Sequence, residues 1–123
     1  MTSRILYVDD EADIREIAEM ALSLDPAFEI RTCGSGHEGV DAARAWQPNL
    51  ILLDVMMPEL DGPGVLRILR DDDRTYAIPV VFITARTQAQ EVAHLRDLGA
   101  RGVIAKPFDP MTLAQQVRDL LDE

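Results

Sequence analysis

The sequence predicts an α/β domain in three layers, with a five-stranded parallel sheet between two layers of helices. Three observations carry that expectation. Short apolar runs that do not alternate with polar residues mark strands covered on both faces. Amphipathic helical patterns fill the gaps between them. The connections are short, so the order reads βαβαβαβαβα, which gives a parallel sheet with right-handed crossovers and helices on both faces.

The first strand is Ile5-Leu6-Tyr7-Val8. Residues 11–24 follow it as a helix, with Ile14, Ile17, Ala18, Ala21 and Leu22 at the i, i+3, i+4, i+7, i+8 spacing of one apolar face. A weaker strand spans Phe28 to Cys33. The helix from Gly36 to Trp46 carries Val40, Ala43 and Trp46 on one side, and Trp46-Gln47-Pro48 reads as its end. Leu50-Ile51-Leu52-Leu53 is the third strand, and Gly64 to Arg70 offers Val65, Ile68 and Leu69 as a helical face. Asp71-Asp72-Asp73 reads as a solvated loop. The fourth strand is Val80-Val81-Phe82-Ile83, followed by a helix over Ala89 to Leu98 with Val92, Leu95 and Leu98. Val103-Ile104-Ala105 is the fifth. The last helix is expected to take Asp109 as N-cap and Pro110 as first helical residue, with Leu113, Ala114, Val117, Leu120 and Leu121 inward.

Composition removes several function classes. The 123 residues suit one compact domain, 1–123, with a real core. Twenty-two acidic residues against 12 basic ones give a net charge of −10, which argues against a nucleic-acid groove. No apolar run approaches a membrane span, and nothing resembles a signal peptide, so the expected location is cytoplasmic. The single cysteine, Cys33, excludes an internal disulfide framework and a cysteine-based zinc site.

The chemistry lies at the strand ends. The first strong strand ends at Asp9-Asp10, the third at Asp54, the fourth at Thr84 and the fifth at Lys106, the only lysine in the chain. In a parallel sheet these ends share one edge, where open α/β sheets place their sites. Taken singly, each residue is ordinary: an Asp after a strand forms turns or caps helices. Taken together, three carboxylates repel and need a cation or a raised pKa. An oxygen-only cluster favours a hard ion, Mg²⁺ above all.

Four fragments in order resemble one family: Val8-Asp9-Asp10-Glu11; Leu53-Asp54-Val55-Met56-Met57-Pro58 running on to Asp61-Gly62; Ile78-Pro79-Val80 with Thr84-Ala85; and Lys106-Pro107-Phe108. The chain is similar over essentially its whole length to the receiver domain of two-component response regulators. The resemblance implies a doubly wound, flavodoxin-like sheet in the order 2-1-3-4-5. It implies Asp54 as the phosphoacceptor, taking a phosphoryl group from the phosphohistidine of a histidine kinase or histidine phosphotransfer protein. Mg²⁺, with Mn²⁺ able to substitute, would be held by Asp9, Asp10, Asp54 and the backbone carbonyl of Met56. Lys106 and Thr84 would contact phosphoryl oxygens, and Thr84 would couple the site to the surface as a switch. Lys106-Pro107 resembles the family's cis peptide bond.

Val103 stands where the family commonly has a mobile Tyr or Phe, so a ring-burial switch is not expected. Met56 and Arg86 flank the phosphoryl position, and their bulk is expected to hinder water and prolong the phosphorylated state. The segment from Gly99 to Phe108 resembles stand-alone and kinase-attached receivers more than DNA-binding ones. The expected protein is a signalling module acting through a downstream protein target, a monomer or weak homodimer with no nucleic-acid or membrane partner. It is expected to catalyse only its own phosphorylation and dephosphorylation. Alternatives are a receiver from a larger hybrid kinase or transcriptional regulator, and an Asp-nucleophile phosphatase. The last usually has a second Asp two residues after the nucleophile, where this chain has Met56.

Other features read as structural. Gly34-Ser35-Gly36-His37-Glu38-Gly39 matches a dinucleotide fingerprint but follows the second strand, so its glycines are expected to serve a turn and close helix packing. His37 and His94 are expected to face solvent, and Cys33 to be a small packed residue.

Overall fold

A computed structural model describes residues 2–123. Its elements are β1 (Ser3–Val8), α1 (Ala12–Leu22), β2 (Phe28–Cys33), α2 (Gly36–Trp46), β3 (Leu50–Asp54), α3 (Gly62–Arg70), β4 (Val80–Thr84), α4 (Ala89–Asp97), β5 (Gly102–Ala105) and α5 (Leu113–Leu121). The strands form one parallel sheet in the order β2-β1-β3-β4-β5. This is the flavodoxin-like topology that the resemblance implies.

The non-alternating strands are explained by two cores. Side chains alternate across a strand, so Ile51 and Leu53 enter one core with Leu6, Val8, Phe82 and the α2 and α3 faces. Leu50 and Leu52 enter the other with Ile5, Tyr7, Ile83 and the faces of α1 and α5. Every residue of β3 and β4 is buried. Each such aliphatic side chain contributes roughly 1.5–3 kcal/mol on leaving water. The polar residues of these two strands, Asp54 and Thr84, sit at their C-terminal ends.

Helix ends follow local chemistry. The Ser35 hydroxyl accepts from the Glu38 N–H at 3.1 Å and starts α2. Gln47 closes it in the left-handed conformation at φ 56°. Asp61 accepts from the Gly64 N–H at 2.8 Å, so α3 opens at Gly62 with Pro63 in its first turn. A Cβ on Gly36 would lie 2.6 Å from the Leu60 carbonyl, and one on Gly39 would lie 3.0 Å from Val8. The glycines of the fingerprint-like segment are thus packing residues.

Four local expectations are corrected. The last helix begins at Leu113, not Pro110: Asp109 accepts from the Met111 N–H through its side chain and from Thr112 and Leu113 through its carbonyl. Its turn therefore precedes the helix rather than capping it. The acidic loop is not merely solvated, because Asp72 takes Arg44 at 2.8 Å and Arg74 at 2.9 Å and ties α2 to the α3–β4 connection. Ile17 is 43% exposed although it falls on the apolar stripe of α1. In α4 only Leu95 is buried, and Leu98 lies just beyond the helix, partly exposed.

Candidate functional site

Asp9, Asp54, Thr84 and Lys106 stand at the C-terminal ends of β1, β3, β4 and β5, with Asp10 beside Asp9. Strand pairing brings these ends level, with Val8 opposite Leu53, Asp54 opposite Ile83 and Thr84 opposite Ala105. Of the residues singled out from the sequence, these five meet at one edge.

Asp9 is fully buried. Its carboxylate accepts from the Tyr7 hydroxyl at 3.1 Å, the Glu11 N–H at 2.9 Å and Lys106 Nζ at 3.0 Å. Arg15 donates to its carbonyl at 2.8 Å, which fixes the start of α1 over the site. Asp54 is 4% exposed. Asp10 is exposed at the rim, and carboxylate oxygens from Asp9, Asp10 and Asp54 lie within 4.8 Å of one another. Three oxygen donors that close, one of them open to solvent, fit a hard divalent cation.

Lys106 Nζ reaches Asp9 at 3.0 Å, Glu11 at 3.2 Å and Asp54 at 3.4 Å. The Lys106–Pro107 bond is cis. Phe108 then packs edge-on against Tyr7, with ring centroids 6.4 Å apart, so the lysine and the residue that orients Asp9 share one support.

The electrostatics follow from crowding. Burial and then the charge of Asp9 raise the Asp54 carboxyl, Lys106 and the Met56 N–H pull it partly back, and the balance leaves it at about 6. For Lys106 burial acts against the charged form, but its hydrogen bond to Asp9 and the charges of Asp54 and Asp9 win, so its pKa is raised. The Tyr7 hydroxyl is pushed well above its ordinary value by burial and then by Asp9, so it stays a donor.

The Thr84 hydroxyl is buried and accepts from the Arg86 N–H at 3.0 Å. Met56 is 69% exposed and lies with Arg86, Thr84, Val55, Pro63 and Leu95 around a groove of about 320 Å³. Val103 is half-buried against the core that α2, α3 and Leu95 of α4 cover. Both histidines are exposed. Cys33 packs at the core edge, where burial and then the charge of Glu38 push its thiol up to about 11. Sequence reasoning assigned no role to Tyr7 or Glu11. A tyrosine inside an apolar strand was the available signal, since a buried hydroxyl seeks a partner; Glu11 gave none beyond its place after Asp10.

Among the described residues no helix is long and apolar enough to cross a membrane. The family model "Response regulator receiver domain" matches residues 5–118. A probable transcriptional regulator, ycf27, of Cyanophora paradoxa is 40% identical over 118 residues, 96% of this chain and 48% of that protein. The DNA-binding response regulator MtrA of Mycolicibacterium paratuberculosis is 37% identical over the same share of this chain and 51% of its own length. The chain thus spans about half the length of the curated relatives it matches. By name they are regulators of the kind from which the 99–108 segment points away. The structure of the chemotaxis response regulator CheY4 of Vibrio cholerae superposes with a TM-score of 0.89 at 27% identity, covering 98% of this chain and 99% of that one. Sequence, topology and the strand-end carboxylates agree: the chain belongs to the response regulator receiver domain family of two-component systems.

Proposed function

We propose that the chain is a phosphoacceptor signalling module in which Asp54 takes a phosphoryl group from the phosphohistidine of a partner kinase or phosphotransfer protein. One observation carries the reading: a buried carboxylate at a strand end, grouped with two others and held against the sole lysine. An Asp54 oxygen attacks phosphorus, the O–P bond forms, and the N–P bond to the imidazole breaks. Asp9, Asp10, Asp54 and the Met56 carbonyl would hold Mg²⁺, whose chemistry is to neutralise charge on the phosphoryl oxygens. Lys106 gives one phosphoryl oxygen an ammonium partner. Thr84 turns its hydroxyl from the Arg86 N–H toward another, which frees the loop after β4 and biases the surface a downstream protein reads. Met56 and Arg86 stand over the groove and impede water. Val103 has no ring to move, so the output rests on the β4–α4 loop and α4. Action in the cytoplasm through protein contacts belongs to the same proposal.

The test is to mix the chain with acetyl phosphate and Mg²⁺ and weigh it intact. One added phosphoryl group is expected on the wild type and none on Asp54→Asn. No adduct on the wild type, or equal modification of the variant, ends the proposal. Sustained hydrolysis of a generic phosphomonoester would point instead to a phosphatase.

A further inference from the structure

The proposed transfer requires Lys106 to meet a phosphoryl oxygen, yet all three of its N–H bonds have acceptors in reach. Asp9 lies at 3.0 Å, Glu11 at 3.2 Å and Asp54 at 3.4 Å. An ammonium has no fourth donor, so one contact must yield when the phosphoryl group arrives.

The three contacts differ in what release would cost. Asp9 is fully buried and also bound by Tyr7 and the Glu11 N–H, so losing its ammonium leaves a buried charge under-compensated. Asp54 carries the phosphoryl group itself. The Glu11 side chain is 61% exposed, makes no side-chain cap to α1, and returns to water on release. A pair whose carboxylate stands in solvent is weakly held. Its contact is the one that gives way.

Resting on the phosphoacceptor reading, we infer that Glu11 is a positioning residue: it restrains Lys106 at the mouth of the site in the unphosphorylated protein and exchanges with a phosphoryl oxygen on Asp54. Glu11 touches neither the reacting atoms nor the attacking oxygen. It acts through the lysine.

The chain offers an unusually direct test, because Lys106 is its only lysine. Lysine labelled at the side-chain carbon next to Nζ gives one signal, assigned without ambiguity. In the metal-free protein, Glu11→Gln is expected to shift that signal from its wild-type position. With Mg²⁺ and beryllium trifluoride, a stable phosphoryl mimic, wild type and Glu11→Gln are expected to coincide, since Glu11 has by then let go. Phosphorylation by acetyl phosphate is expected to be several-fold faster in Glu11→Gln. In a Lys106→Met background, which removes the cation, the Glu11 substitution is expected to lose most of that effect, the non-additivity that marks coupled residues.

Coincident signals before the mimic is added overturn the inference, and so does a difference that the mimic leaves intact. A Glu11 effect on rate that persists in full with Lys106→Met overturns it as well, because it would then be a charge effect on the anionic donor. Failure of the underlying reading looks different: the wild type gains no phosphoryl mass and its lysine signal ignores the mimic.

Discussion

Burial beside Asp9 raises the Asp54 carboxyl to about 6, above the ordinary carboxylate range, so the metal-free fold holds the proton more tightly than the unfolded chain does. At pH 7 the ionised group therefore works against folding, and its removal should stabilise the protein. Asp54→Asn keeps an oxygen for Lys106 while deleting the charge. In EDTA at pH 7 the variant is expected to be more stable by about 1–3 kcal/mol, at roughly 1.4 kcal/mol per pKa unit. Urea denaturation measures it, and a variant less stable than wild type would show that the Lys106 contact outweighs the crowding. A neighbouring residue shows how tightly this point is built. A Cβ on Gly62 would sit 2.5 Å from the Asp54 carbonyl, so only glycine lets α3 start against the end of β3. The named site residues were legible because strand ends are legible and a parallel sheet aligns them. Tyr7 and Glu11 were not, because their roles depend on which donors stand free after the fold closes.

Elements were legible where their apolar pattern was long and where local caps agreed with it. The strands and α2 lie as the sequence suggests, because β3 and β4 are buried on both faces and Ser35 and Gln47 mark the ends of α2. The start of α5 was misplaced because Asp109-Pro110 carries a cap signature that an Asx-type turn also satisfies. The acidic triplet is a loop with Asp71 and Asp73 in solvent, and it departs from expectation only at Asp72, since nothing local announces that Arg44, on another helix, reaches it. That contact makes an element-scale prediction. The hydrogen bonds from Arg74 and then Arg44 hold the Asp72 carboxyl below the usual range. A depressed acid stabilises the fold above its unfolded pKa of about 3.9, and the contribution fades as pH falls below that value through the folded one. Asp72→Asn is therefore expected to be less stable than wild type at pH 7, with the gap narrowing below about pH 4. Denaturation at both pH values checks it; a gap independent of pH would mean that geometry alone holds α2 to the α3–β4 connection.

For the whole molecule, the site and the stability of the sheet are one thermodynamic system. The three carboxylates come within 4.8 Å only because β1 and β3 are adjacent strands. The unfolded chain has no such cluster, so a cation that binds there binds the native state alone. Linkage then gives a stabilisation of RT ln(1 + [L]/Kd), about 2.7 kcal/mol at a hundredfold excess over Kd. Each 1 kcal/mol moves Tm by roughly 2–8 °C for domains bracketing this size. The net charge of −10 adds a second, weaker response, since any salt screens repulsion. The two separate cleanly. Mg²⁺ is expected to raise Tm well beyond NaCl at equal ionic strength, with a rise that continues logarithmically above saturation. Asp10→Asn removes the exposed carboxylate of the cluster without disturbing the buried pair, so it should cut the Mg²⁺ response while leaving the NaCl response in place. Equal responses to the two salts in the wild type would mean that the cluster is only part of a diffuse acidic surface, and that Lys106 already balances it.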